Sequence, residues 1–435
     1  MQINESLKKI IAEHLNDDVN QLILNHSRFK NIDIKFAAQQ IEARKIIKHK
    51  LPDWRKNYNL IFPSTLAAEQ CSSQRTALYK QRFVNRNDTI YDMTGGLGVD
   101  AFYFSQKAEK VVYMEHNKHY CEAAINNFHA LNVDNIDILN ICCTQLLKPH
   151  SPPPALHPQS SPQKPVLYID PSRRKDNNKR VYDLKDCEPD LTDIWTDLQK
   201  ISSKIIVKLS PMIDITHVVR QLSGIVEIHI VSIRNDCKEI IVIAEQSSNR
   251  TIKISCINCL HDDTEETFVF TPDKEKTASV HFASDVKKYL CEPNASVLKA
   301  GAYKYVAAHF NIEKLHPGCH LYTSDRLIEH FPGRIFETLE IYPFNNHTCK
   351  TLSKSITNAN ITVRNFPLSA EELRKKLKIN DGGDIYLFAG IMSDDKKILI
   401  QCRKKSDAAG NSAASVHSAS RIANPQGDVL LVTNR

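Results

Sequence analysis

The amino-acid sequence predicts an α/β protein: a Rossmann-like, mainly parallel sheet with a helical region before it and small α+β units after it. Three observations carry this. Between positions 89 and 244 short apolar runs alternate with helical stretches, the pattern of a sheet covered by helices on both faces. Before position 85 the apolar residues recur at roughly a helical spacing. Only 12 glycines occur in 435 residues, yet Gly95, Gly96 and Gly98 fall together directly after the first apolar run. A chain so sparing with glycine needs them there for a backbone reason.

In order along the chain, 1–85 reads as an N-terminal helical region. Leu7, Ile10, Ile11 and Leu15, then Phe36, Ala37, Ala38, Ile41, Ile46 and Ile47, mark its apolar stripe. A second helical stretch, 64–83, follows the turn at Pro63 with Ser64 as its N-cap. The α/β domain occupies 86–250, with strands at 89–93, 110–115, 135–141, 166–170, 204–209, 225–232 and 239–244. No long helix separates the last two, which therefore pair as antiparallel neighbours. Seven prolines in 149–165 forbid helix and ladder alike and predict a surface loop. After about Arg250 a smaller region begins, with strand-like runs between Phe268 and Phe344, a helix at 284–290, and turns at Pro317-Gly318 and Pro332-Gly333. A compact unit follows: strand 360–365, helix 369–378, a turn at Gly382-Gly383, and strands 385–390 and 397–401. The low-complexity composition of 406–435 predicts a disordered tail.

Composition narrows the classes. Hydrophobic residues at 42% and charged residues at 25% exclude wholesale disorder. No apolar run approaches the ~18 residues of a membrane span. The first residues, MQINESLKKIIAEHLNDD, form an amphipathic helix with acids rather than a signal peptide's apolar core, so a cytoplasmic location is expected. Twelve cysteines spread over this length do not form a secreted disulfide scaffold and predict buried thiols. The excess of 57 Lys+Arg over 50 Asp+Glu, a net +7, permits a nucleic-acid partner.

The strongest chemical signal is Tyr91-Asp92-Met93-Thr94-Gly95-Gly96-Leu97-Gly98, after a strand and before the helical stretch 99–107. A ligand at the C-terminal end of the first strand of an open α/β sheet meets this turn, and small residues let the backbone approach it. Glu115 follows at the end of the next strand, where a carboxylate can accept both hydroxyl hydrogens of a ribose. Nicotinamide dinucleotides favour G-x-G-x-x-G, and these glycines are too tightly spaced for it. The acid at the start of the loop, Asp92, suits a cation instead. S-adenosylmethionine (SAM), with an ammonium and a sulfonium, fits; the plain alternative is a tight β–α turn with Glu115 as a solvated strand end.

The segment resembles motif I of class I SAM-dependent methyltransferases, with Thr94 where the first glycine is usual. Its D-x-T-x-G-L-G-x-D form, extended to Asp100, is similar to that of some ribosomal RNA guanine methyltransferases. Over most of its length the chain resembles a bacterial class I methyltransferase family with a THUMP-like C-terminal domain. The residues that carry this are Asp170-Pro171-Ser172-Arg173-Arg174, matching a D-P-x-R-R motif, and Asn365-Phe366-Pro367-Leu368-Ser369 through Gly382-Gly383-Asp384. The resemblance implies a seven-stranded methyltransferase domain at 86–250, a ferredoxin-like domain at 270–324, a THUMP-like domain at 325–405, SAM as cofactor and, by analogy with THUMP domains, an RNA substrate. It places Asp92, Thr94, Gly95, Gly96, Gly98, Glu115 and Asp170 at the cofactor. Cys142 stands where the family pattern commonly has an acid for the adenine amino group. A thiol is a poor acceptor, so backbone groups or Asn140 would have to substitute.

On the acceptor side, amino-group methyltransferases often carry N/D-P-P-Y/F, whereas Asp170-Pro171 here continues into Ser172-Arg173. Asp170 and Arg173 are the catalytic candidates. Asp170 can hydrogen-bond an N–H or take a proton; Arg173 cannot be a base, but its planar fork suits phosphate or guanine edges. Arg173, Arg174, Lys175, Lys179 and Arg180 together form a candidate substrate-binding run; alternatively they are solvated and pair with acids such as Asp183 or Asp186. Tyr182 offers a stacking face. The polar stretch 69–76 either lids the cofactor site or faces solvent, and Lys208-Leu209-Ser210-Pro211 either borders the acceptor or merely ends a strand. Cys256-x-x-Cys259 with His261 lacks the second pair of a zinc site, and no metal is expected. Cys237 lies in a turn away from the expected pocket. A protein or small-molecule acceptor, or a non-catalytic RNA-binding relative, are the other readings; the oligomeric state is not encoded.

Overall fold

The computed structural model describes residues 3–29, 32–147, 164–173, 183–246, 250–261 and 264–405. Nearly all of the proline-rich stretch, Arg174, Lys175, Lys179, Arg180, Tyr182 and the tail 406–435 lie outside the described residues.

Six helices open the chain: α1 (Glu5–Glu13), α2 (Val19–Leu24), α3 (Ile34–Ile46), α4 (Pro52–Lys56), α5 (Thr65–Gln70) and α6 (Gln74–Lys80). Ser64 caps α5 by accepting from the Ala67 N–H at 3.0 Å. The stretch 64–83 is not one helix, because Ser73 and Thr76 form a second capping box that starts α6. The helical region is fastened to the α/β domain by Asn127, whose side chain pairs with both the N–H and the carbonyl of Ile61 at 2.7 and 2.8 Å.

The α/β domain runs β1 (Thr89–Asp92), α7 (Val99–Ser105), β2 (Lys110–Met114), α8 (Lys118–Ala130), β3 (Ile136–Leu139), β4 (Val166–Ile169), a short ladder of β5 (Ser172–Arg173) with β6 (Cys187–Glu188), α9 (Leu191–Ile201), β7 (Lys204–Leu209), α10 (Ile215–Gln221), β8 (Ile225–Ile233) and β9 (Asp236–Glu245). The strands order as β8-β9-β7-β4-β1-β2-β3, with β8–β9 and β9–β7 antiparallel and the rest parallel. Period-2 alternation sends Tyr91, Val112, Leu167, Ile205 and Val207 into one core and Ile90, Val111, Tyr113, Val166, Tyr168 and Ile206 into the other.

The sheet does not stop at 250. β10 (Lys253–Cys259) adds parallel to β8, and β11 (Glu265–Phe270) pairs with it, making nine strands. Ile254 and Cys256 feed one core, Ile257 and Cys259 the other, so the segment is buried on both faces like the strands before it. That alternation also puts Cys256 and Cys259 on opposite faces, which no shared metal could accommodate. Cys237, second in β9, is half-buried, and burial pushes its thiol up to about 11, away from a nucleophilic thiolate.

After α11 (Pro272–Thr277), a second sheet forms from β12 (Tyr289–Pro293), β13 (Glu313–His316), β14 (Cys319–Ser324), β15 (Gly333–Pro343), β16 (Asn360–Val363), β17 (Ile385–Ile391) and β18 (Lys397–Lys404), ordered β13-β14-β12-β15-β18-β17-β16. The helices α12 (Ala295–Ala300), α13 (Tyr303–Phe310), α14 (Asn346–Ser355) and α15 (Ala370–Leu377) connect them. The helix expected at 284–290 does not form. Tyr289–Pro293 is instead a central strand between β14 and β15, with Leu290 in one core and Cys291 in another. Burial on both faces overrides local helical propensity.

Candidate functional site

The chain leaves β1 for β2 and β3 on one side and β4 on the other. The C-terminal ends of β1 and β4 therefore lie at the point where strand order reverses, the crevice in which open α/β sheets bind ligands. Asp92 ends β1, Glu115 follows β2, and Asp170 follows β4.

The loop after β1 is built by its glycines. A Cβ on Gly95 would lie 2.2 Å from the Tyr113 ring, so no side chain fits between the loop and β2. Gly98 caps α7 at a φ of 81°, in the left-handed region, and a Cβ there would meet Phe128 at 2.8 Å. The Gly96 N–H donates to Glu115 Oε2 at 3.0 Å, and the Asn117 N–H to Oε1 at 2.7 Å. The motif loop and the second-strand carboxylate are thus one unit. The Thr94 hydroxyl accepts the Asp170 N–H at 2.7 Å and so ties the loop to the end of β4.

Behind this loop lies a buried cluster of charge. Asp92 is 1% exposed and accepts from the Thr94 N–H at 3.2 Å. Burial, then the neighbouring charge of Asp100, with Asp170 and Glu115 adding to it, raises its carboxyl well above the usual carboxylate range. Lys80, fully buried on α6, reaches Asp100 at 3.1 Å, the two Glu239 oxygens at 3.0 and 3.1 Å, and Ser72 at 3.0 Å. Asp100 also accepts from the hydroxyls of Ser72 and Tyr168, both at 2.7 Å. Burial opposes its ionisation, but Lys80, Lys208 and these hydroxyls hold it below its ordinary value. Lys208, from β7, pairs with Asp170 Oδ2. Burial works against the Lys208 charge, and Asp170, Glu239 and Asp100 outweigh it, so the ammonium is held above its ordinary value. Two lysines therefore serve Asp100, Asp170 and Glu239, while the charges acting on Asp92 are those of Asp100, Asp170 and Glu115.

The expected residues Asp92, Thr94, Gly95, Gly96, Gly98, Glu115 and Asp170 come together at this crevice. Cys142 is exposed beyond β3, its thiol 3.2 Å from the Thr144 hydroxyl. The Asn140 side-chain NH2 donates to the carbonyls of Glu115 and His116, at 2.9 and 3.1 Å. The backbone of Arg173 joins the β5–β6 ladder. Ser72, within the polar stretch 69–76, points inward to Asp100 rather than to solvent. Sequence reasoning missed Lys80 and Glu239 altogether and met Asp100 only as the last letter of a motif. Among the described residues no group of His, Cys, Asp and Glu is arranged to hold a metal, and no helix is long and apolar enough to cross a membrane.

A ferredoxin-like domain family matches residues 289–332 and a THUMP domain-like family matches 333–404. The crystal structure of a protein from Porphyromonas gingivalis W83, described as a "putative methyltransferase", is 34% identical, with 93% of this chain and all of that one covered at a TM-score of 0.81. An rRNA methylase from Streptococcus thermophilus aligns over 40% of this chain and 95% of its own at 8% identity and a TM-score of 0.28. TrmK from M. capricolum, in complex with S-adenosyl-homocysteine, aligns over 41% and 70% at 11% identity and a TM-score of 0.30. No curated protein matches the chain.

Proposed function

Because this chain belongs to the methyltransferase-fold family with ferredoxin-like and THUMP-like C-terminal domains, we propose that it is a SAM-dependent methyltransferase whose acceptor is an RNA base. The observation that carries the cofactor is the imbalance at the crevice. Asp92 is buried among like charges and its ionisation is suppressed. A cationic ligand there restores the balance, which an anionic diphosphate would worsen.

When bound, SAM supplies a methyl group on a sulfonium. The chain's part is to hold and orient. Asp92 faces the donor's cationic end, and Glu115, already fixed by two backbone N–H groups, has lone pairs left for the ribose hydroxyls. Gly95 and Gly96 bring backbone close to the ligand. Asp170, fixed by Thr94 through its N–H and by Lys208 through Oδ2, presents its other oxygen to the acceptor. Displacement on a methyl carbon needs alignment and exclusion of water more than acid–base chemistry, and these fixed side chains supply the alignment.

The RNA acceptor is supported by the THUMP-like match, by the net +7 and by the cations at Arg173, Arg174, Lys175, Lys179 and Arg180, our proposed substrate contacts. Titration calorimetry with SAM tests the cofactor; absence of binding refutes it. For the acceptor, RNA affinity measured across salt concentration should fall steeply as phosphate contacts are screened. A flat salt response would point to a protein or small-molecule acceptor.

A further inference from the structure

At the ends of β4 and β7 the structure sets a carboxylate and an ammonium side by side, both partly open. Asp170 retains 33% of its side-chain exposure and Lys208 15%. Lys208 donates to Asp170 Oδ2, while Asp170 Oδ1 has no partner among the described residues. The Lys208 ammonium carries three N–H donors, and among the described residues only this one is engaged. Asp170, and after it Glu239 and Asp100 behind, outweigh burial and keep it protonated, so it is a donor and not a base.

From this juxtaposition we infer that the methyl-accepting edge is a lactam, an N–H beside a C=O, as guanine presents at N1 and O6 and uracil at N3 and O4. The inference rests on the proposed function and deepens it by naming the acceptor class. An acceptor oxygen beside a cationic donor matches N–H beside carbonyl. Adenine and cytosine also place a donor beside an acceptor, but the electrostatics separate the cases. An ammonium on their ring nitrogen draws electrons from the amino group and weakens it as a nucleophile. A lactam nitrogen becomes nucleophilic only as it loses its proton, and the charge that then gathers on its carbonyl oxygen is what Lys208 stabilises. An alkylammonium acceptor would be repelled by Lys208. In the step, the lactam N–H proton passes to Asp170 Oδ1 and the nitrogen pair forms the N–CH3 bond. The S–CH3 bond breaks with its electron pair on sulfur, leaving a neutral thioether.

The test incubates the protein with trideuteromethyl SAM and total RNA from cells in which its gene is deleted, then digests the RNA and identifies labelled nucleosides by mass spectrometry. Label in N1-methylguanosine or N3-methyluridine is the expected result. Label on an exocyclic amine, a ring carbon or a ribose hydroxyl overturns the lactam while leaving an RNA methyltransferase. No label in RNA, with SAM binding intact by calorimetry, overturns the RNA acceptor and the lactam with it. Lys208→Met should lower kcat by about 10²–10³ with little change in SAM affinity, the loss typical of one oxyanion donor, and Lys208→Arg should recover part of it. A binding readout needs no turnover: saturation-transfer NMR on the protein with S-adenosyl-homocysteine should show inosine monophosphate, which has the lactam, contacting wild type but not Lys208→Met. Equal contact by adenosine monophosphate would overturn the assignment.

Discussion

Replacing Asp92 by Asn should make the empty protein more stable and the donor-bound protein weaker. Asn keeps an oxygen for the Thr94 N–H, so the loop retains its 3.2 Å hydrogen bond. What changes is charge. Asp92 has a carboxyl raised by burial and by Asp100, with Asp170 and Glu115 contributing. For an acid whose folded value lies above its unfolded one, the folded state holds the proton longer. Stability is therefore unaffected below the ordinary carboxylate range near ~3.9 and declines as pH rises toward the raised folded value. Each pH unit within that window costs about 1.4 kcal/mol, and above the folded value the penalty is constant. Asp92→Asn removes the penalty. Its melting temperature should match wild type near pH ~4 and exceed it by a margin that widens toward neutral pH. SAM binding should move the other way: losing a buried, charged partner is worth about 1.5–3 kcal/mol, or roughly 10- to 150-fold in Kd. Differential scanning calorimetry from about pH 4 to 8, with and without SAM, reads both. A variant less stable than wild type at neutral pH, or one that binds SAM equally well, would refute the reasoning.

Other substitutions probe the frame. Gly95→Ala drives a methyl into the Tyr113 ring at 2.2 Å; it should lower the urea midpoint by at least about 1–3 kcal/mol of stability and abolish SAM binding. Thr94→Val keeps the volume but leaves the Asp170 N–H without its 2.7 Å acceptor, costing about 1–3 kcal/mol in thermal denaturation. Lys80→Met leaves Asp100 and Glu239 buried without their shared cation, and should cost about 3–5 kcal/mol or prevent folding, seen by circular dichroism.

Much of the frame is legible because it is written in local periodicities. The β1 loop can be read from three clustered glycines, and the two cores from alternation along 89–244. Beyond that, signals fade for identifiable reasons. Sequence alone puts β10 and β11 in a separate region, since nothing local distinguishes a strand that extends a sheet from one that starts another. The stretch 284–290 reads as a helix, but its end, Tyr289 and Leu290, opens a strand that its two neighbours bury on both faces. Thr94 departs from the usual glycine, and only the chain's return at Asp170, 76 residues on, shows what its hydroxyl is for.

The hardest part to read is Lys80, a single lysine on a helix outside the expected catalytic domain, 159 residues from Glu239. Lysines on short helices normally point to solvent. This one is fully buried because its partners arrive from two other places: Asp100 on α7 and Glu239 on β9. The cost of burying its ammonium is met only when both carboxylates are present, and theirs only when it is. After Asp170 itself, the same carboxylates also help to hold the proton on Lys208. The helical region is therefore bound into the electrostatics of the proposed acceptor site. Removing it would leave Asp100 and Glu239 to compete for Lys208, pulling that ammonium back from Asp170 and leaving Asp170 without its partner.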